Sequence, residues 1–124
     1  MLFFYLNPNS SFRMKYMEKE ESLYQVIGDK MIKKHNGVAH GKMMSSPGLK
    51  YKKKVFAFYY NQEMTFRLGK DFDLTKLDIN KYSLLSPFKN KPPLAAWFNI
   101  SYEYQNQWEE LAELALNKLK EEIE

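Results

Sequence analysis

The sequence predicts an α+β fold, a curved antiparallel sheet flanked by an N-terminal and a C-terminal helix. Three observations predict it. Apolar residues recur at three- and four-residue steps near both ends, at Leu23, Val26, Ile27 and Met31 and again at Trp108, Leu111, Ala112, Ala115, Leu119 and Ile123. Between these segments, aromatic and β-branched residues form short runs separated by turn residues. Aromatic residues make up 16% of the 124 positions, which favours strands and a tightly packed core.

The first helix spans Glu18 to Lys34. Glu18, Glu20 and Glu21 open it and Lys30, Lys33, Lys34 and His35 close it, a polarity that complements the helix dipole. Asn36-Gly37 supplies a left-handed stop, and Gly28 inside the helix implies a close packing contact. Val38 to Met44 forms a first strand, and Ser45-Ser46-Pro47-Gly48 a turn. Leu49 to Tyr60 reads as one long strand, continued by Met64 to Leu68 across Asn61-Gln62.

A two-residue loop at Asn61-Gln62 pairs Tyr60 with Glu63 and puts Val55, Ala57, Tyr59, Met64, Phe66 and Leu68 on the core face. The amphipathic face then carries Phe56, Phe58, Tyr60, Glu63, Thr65 and Arg67. A three-residue loop would slip the register and bury Phe56, Phe58 and Tyr60 instead. Asp71 to Leu85 is a short helix or turn anchored by Phe72, Leu74, Leu77 and Tyr82. Pro87 and the run Lys89-Asn90-Lys91-Pro92-Pro93 mark an exposed connection, because proline lacks the N–H a central strand needs. Leu94 to Ile100 is the last strand, with Trp97 and Trp108 both expected to be largely buried. Ser101 suits a helix N-cap, ahead of a final helix from Tyr104 to Glu122.

The length fits one domain, assigned to residues 14–124, with residues 1–13 as a loosely held arm. That arm opens on six apolar residues and lacks the features of a signal peptide. No stretch approaches the roughly 20 apolar residues of a membrane span. The absence of cysteine excludes structural disulfides and thiolate zinc sites and suits a cytoplasmic setting.

The segments Lys42-Met43-Met44, Pro47-Gly48-Leu49, Lys54-Val55-Phe56-Ala57-Phe58 and Phe66-Arg67-Leu68 form a pattern with Pro93, Trp97 and the Trp108, Leu111, Ala112, Ala115 stripe. This pattern, over roughly residues 20–120, resembles the N-terminal domain family of the TfoX/Sxy competence regulators. The resemblance implies a curved antiparallel sheet with helices at both ends and the two-residue hairpin register. Two-domain members of that family are linked to transcriptional control of competence. Ser45 and Ser46 stand where the family usually has glycines.

Few residues invite chemistry. His35 and His40 lack a third ligand at suitable spacing, so no metal and no cofactor are expected. Glu109, Glu110 and Glu113 lie off the apolar stripe and project outward, where nothing perturbs their acidity. Ser45, Ser46 and Ser101 lack a nucleophile elbow, and the five glycines form no phosphate loop. A non-enzymatic protein is expected.

Charge is the remaining signal. Residues 103–124 hold seven acidic and two basic residues, and residues 1–102 hold eight acidic and seventeen basic ones. Lys50, Lys52, Lys53 and Lys54, with Arg67, form a candidate nucleic-acid contact, because lysines neutralise phosphates without reading bases. The same lysines equally guard an exposed strand end. Two classes of function follow, a module binding a protein or peptide and a regulator binding nucleic acid without sequence specificity.

Overall fold

The first helix, α1 (Lys19–Lys34), buries Tyr24, Ile27, Gly28 and Met31 and turns Val26 outward, one position round from the expected stripe. The computed structural model describes residues 17–124, so the expected arm at 1–13 lies outside the described residues. A Cβ on Gly28 would lie 3.3 Å from Leu49 Cδ2, the close contact the helix-interior glycine implied. Gly37 adopts φ +92° and ends the helix as expected.

Six strands follow: β1 (Val38–Met43), β2 (Ser46–Tyr51), β3 (Lys54–Tyr60), β4 (Glu63–Arg67), β5 (Ser83–Leu85) and β6 (Leu94–Ser101). They form one antiparallel sheet in the order β1-β2-β3-β4-β6-β5. The long strand expected over Leu49–Tyr60 is in fact two, because the chain reverses at Lys52-Lys53 with Lys52 at φ +55°. The expected turn at residues 45–48 shrinks to Met44-Ser45, and Ser46, Pro47 and Gly48 enter β2. Proline is tolerated there because pairing with β3 begins only at Gly48.

Met44-Ser45 and Asn61-Gln62 both close hairpins with two residues at positive φ, the geometry that matches strand twist. The pairing of Tyr60 with Glu63 is the two-residue register. Ser45 sits at φ +74°, where a Cβ is disfavoured, and its side chain is exposed. Ser45→Gly is expected to stabilise the domain by about 0.5–1 kcal/mol, raising the melting temperature by a few degrees. A fall on thermal melting would mean that the turn has other geometry.

The β2–β3 pairing carries a bulge that the alternation rule did not anticipate. Leu49 faces Ala57 and Lys50 faces Val55, so Phe56 is an extra residue. Phe56 and Ala57 therefore both enter the core, and Val55 turns to the opposite face. A Cβ on Gly48 would lie 3.4 Å from Val55 Cγ1, 3.0 Å from Phe58 Cβ and 2.8 Å from the Ala57 carbonyl oxygen. Only glycine fits where the bulged strand comes so close.

The closing helix, α2 (Gln105–Ile123), buries Trp108, Leu111, Ala112, Ala115, Leu116 and Leu119. Both helices pack on one face of the sheet, against Leu49, Phe56, Ala57, Met64, Phe66 and Ile100. Between β4 and β5, a 3-10 turn at Leu74–Leu77 buries Leu74, and Ile79 follows it into the core, while the expected anchor Tyr82 stays exposed. Ser101 caps the 3-10 turn Tyr102–Tyr104 that leads into α2, without a side-chain hydrogen bond, and its carbonyl accepts the Trp108 indole N–H at 3.2 Å. No helix among the described residues is long and apolar enough to cross a membrane.

Candidate binding surfaces

The lysine cluster lies on a hairpin tip rather than along a strand. Lys52, Lys53 and Lys54 are exposed and Lys50 half-buried. The acidic C-terminal turn of α2 lies against this tip. Lys52 Nζ pairs with Glu124 at 3.0 Å, and the Tyr51 hydroxyl donates to the same carboxylate. Arg67 Nη2 pairs with Glu122 at 2.8 Å. Lys52 and Lys120 Nζ both stand 5.3 Å from the Tyr51 ring centroid, within cation–π reach.

Two of the five sequence-predicted contacts, Lys52 and Arg67, are thus engaged within the fold. Among the described residues no ion pair reaches Lys50, Lys53 or Lys54. The charge asymmetry in the sequence is a neighbour relation: the acidic helix end meets the basic hairpin.

The same logic joins the two helices. Lys30 pairs with Glu109 at 3.2 Å, Lys34 with Glu113 at 3.0 Å, and His35 Nε2 meets Glu113 at 2.8 Å. Glu109 keeps its expected outward, solvated character while pairing with Lys30, whereas that expectation is corrected for Glu113, which is half-buried against the last turn of α1. His35 is held by the Glu113 carboxylate, and His40 lies on β1.

These contacts leave a titration signature. Burial pushes the Glu113 carboxyl up, but hydrogen bonds from Lys34 and His35 outweigh it and leave it below its ordinary range. The Arg67 hydrogen bond lowers Glu122, the Tyr51 hydroxyl and Lys52 lower Glu124, and Thr75 lowers Asp73. A carboxylate lowered in the folded state adds stability above its unfolded value and loses it as the pH falls through the folded one. Glu63, raised by burial, acts in the opposite sense. The melting temperature is expected to fall below about pH 5, and Glu113→Gln to blunt that fall. A flat profile down to about pH 3 would mean that the pairs carry no stability.

The face of the sheet opposite the helices carries a second surface. Phe58 and Trp97 meet at 5.7 Å between ring centroids, and Trp97 is partly buried on this face, outside the core cluster under the helices. Beside them Thr65 donates to Asn99 at 2.8 Å and Asn99 to Ser83 at 3.0 Å, a polar row across β4, β6 and β5. Tyr60 stands 65% exposed at its border. A cavity of about 350 Å³ lies over this row, lined by Phe58, Thr65, Leu84, Leu85, Ser86 and Asn99 among others.

A third surface is a groove of about 780 Å³ between α2 and the start of β6. Leu68, Phe72, Ala95, Ala96 and Leu114 form its apolar part, and Lys70, Asp71, Lys118 and Glu121 its mixed-charge rim. Sequence reasoning missed it because its walls, residues 68–72, 95–96 and 114–122, are far apart in the chain and meet only through tertiary packing. The closest signal was Gly69, whose φ of +91° turns the chain out of β4 and along the groove.

No group of three or more His, Asp and Glu among the described residues is placed to hold a metal ion. No family model, no curated protein and no solved structure matches this chain.

Proposed function

We propose that this chain is a small non-catalytic binding and regulatory domain of the TfoX N-terminal type, engaging a protein or peptide partner through the sheet face opposite the helices or through the sheet edge. The observation that carries this reading is the one-sided architecture. Both helices close one face, and among the described residues no helix or strand crosses the other. A partly exposed tryptophan, an exposed tyrosine and a satisfied polar row are the mixture that protein-binding surfaces favour. The order of helix, hairpins and closing helix agrees with what the family resemblance implies. A cytoplasmic setting belongs to the same proposal and rests on the cysteine-free composition.

The alternative, weak and sequence-independent binding of DNA or RNA, rests on Lys50, Lys53 and Lys54 at the hairpin tip. It is the poorer reading because Glu122 and Glu124 already engage Arg67 and Lys52 and place negative charge beside the tip.

Panning an immobilised random peptide library against the folded chain, with DNA-resin chromatography in parallel, separates the two. The expected result is enrichment of peptides that compete with one another, with little retention on DNA. Retention that weakens steeply with salt, and that is lost on changing Lys50, Lys52, Lys53 and Lys54 to glutamine, would overturn the proposal in favour of nucleic acid.

A further inference from the structure

The edge of the sheet at β1 has a definite hydrogen-bonding polarity. Met43 and Ser46 flank a two-residue turn, and the register runs back through Gly41 with Gly48 and Ala39 with Lys50. In an antiparallel ladder, alternate residues turn both backbone groups toward the partner strand. Gly37, Ala39, Gly41 and Met43 therefore face β2, and the Gly37 carbonyl accepting from the Lys52 amide at 3.2 Å continues that series. His40 and Lys42 turn their N–H and C=O groups away from β2. The Val38 amide is taken by the His35 carbonyl at 3.3 Å, leaving its C=O outward. Among the described residues no strand pairs with this outer side.

Charge says what would pair there. From Lys30 to Gln62 the chain carries eight lysines and no carboxylate. Carboxylates of α2 engage Lys30, Lys34 and Lys52, which leaves Lys33, Lys42, Lys50, Lys53 and Lys54 with no ion pair among the described residues. A second copy of β1 would bring a second Lys42 and His40 against the first, like charge on like. An acidic strand meets no such repulsion. Lys42 and His40 share the helix side with Val38, whereas Ala39 and Gly41 lie on the open face. Ala39 leaves room for a bulky neighbour, and over Gly41 lies the apolar stem of Lys50, whose Cδ would stand 3.1 Å from an added Cβ.

We propose that the β1 edge accepts an extended acidic peptide as a seventh strand, with carboxylates toward Lys42 and His40 and apolar side chains against Ala39 and the Lys50 stem that covers Gly41. This inference rests on the binding-domain reading above and names the site and the class of partner.

The probe is an alternating Glu-Val hexapeptide, with a Lys-Val peptide as control, added to the full chain. Binding is followed by amide hydrogen exchange. The Glu-Val peptide is expected to bind, to slow exchange at His40 and Lys42, and to leave Ala39 and Gly41 unchanged. Lys42→Pro removes an outward N–H without touching the β2 ladder and is expected to weaken binding by about tenfold or more. Lys42→Gln keeps the amide and loses only the charge, so it tests the site even where the proline variant does not fold. It is expected to weaken binding several-fold and reduce its salt dependence. Glu-Val binding that protects amides elsewhere in the sheet would overturn the edge site and leave the binding-domain reading standing. Equal binding of both peptides would overturn the acidic preference. Failure of both peptides, with library panning also empty, would overturn the site and the reading together. Doubling of mass with protection of the same amides would assign the edge to a second copy instead.

Discussion

Trp108→Ala is expected to lower the stability of the domain by about 3–5 kcal/mol, a large share of what a chain this size possesses. Trp108 is fully buried in the first turns of α2. Its indole N–H donates to the Ser101 carbonyl at 3.2 Å, tying the helix to the end of β6. Its ring meets Tyr102 edge-on, with centroids 5.7 Å apart and planes at 84°. Alanine removes the ring, opens a cavity and strands a carbonyl. Trp108→Phe keeps much of the volume and loses the hydrogen bond, so it should cost distinctly less. Denaturant unfolding measures both. Trp97→Ala is the internal contrast, because its partly buried ring lies outside the core cluster, which makes its loss milder. An unchanged midpoint for Trp108→Ala would mean that α2 is not docked through this face.

The features legible in the sequence were those with a local cause. The stripe of α2 follows from a 3.6-residue period that a run of nineteen residues displays several times over. The stop at Gly37 and the hairpin at Asn61-Gln62 follow from the backbone those residues accept. The division of Leu49–Tyr60 was hidden because Lys52 and Lys53 carry no turn signature, yet Lys52 takes a positive φ. Three-residue β5 was hidden for want of length, since two or three alternations cannot be told from loop.

The candidate site was legible as composition and illegible as geometry. The lysines and the acidic helix end were both visible, but nothing local says that Glu122 and Glu124 come to rest on Arg67 and Lys52. That meeting depends on how α2 crosses the sheet, a tertiary fact. The β1 edge was hidden for the same reason, since an edge is defined by the strand order and not by the strand.

The bulge at Phe56 makes the sharpest contrast between reading and fold. Strict alternation along β3 puts Val55 in the core and Phe56 on the far face; the extra residue in the ladder exchanges them. Phe56→Ala is therefore expected to cost about 3–5 kcal/mol, the loss of a fully buried phenyl ring with little room for collapse. Val55→Ala, at a half-buried position on the open face, should cost well under half as much. Gly48→Ala probes the same bulge from the partner strand. Its new methyl would stand 2.8 Å from the Ala57 carbonyl oxygen, a backbone atom that cannot swing aside, so a loss of about 1–3 kcal/mol is expected. Equilibrium unfolding of the three variants decides the register. A large effect at Val55 with a small one at Phe56 would restore simple alternation and remove the bulge, whereas the reverse order, with Gly48→Ala also destabilising, is what an extra residue in β3 requires.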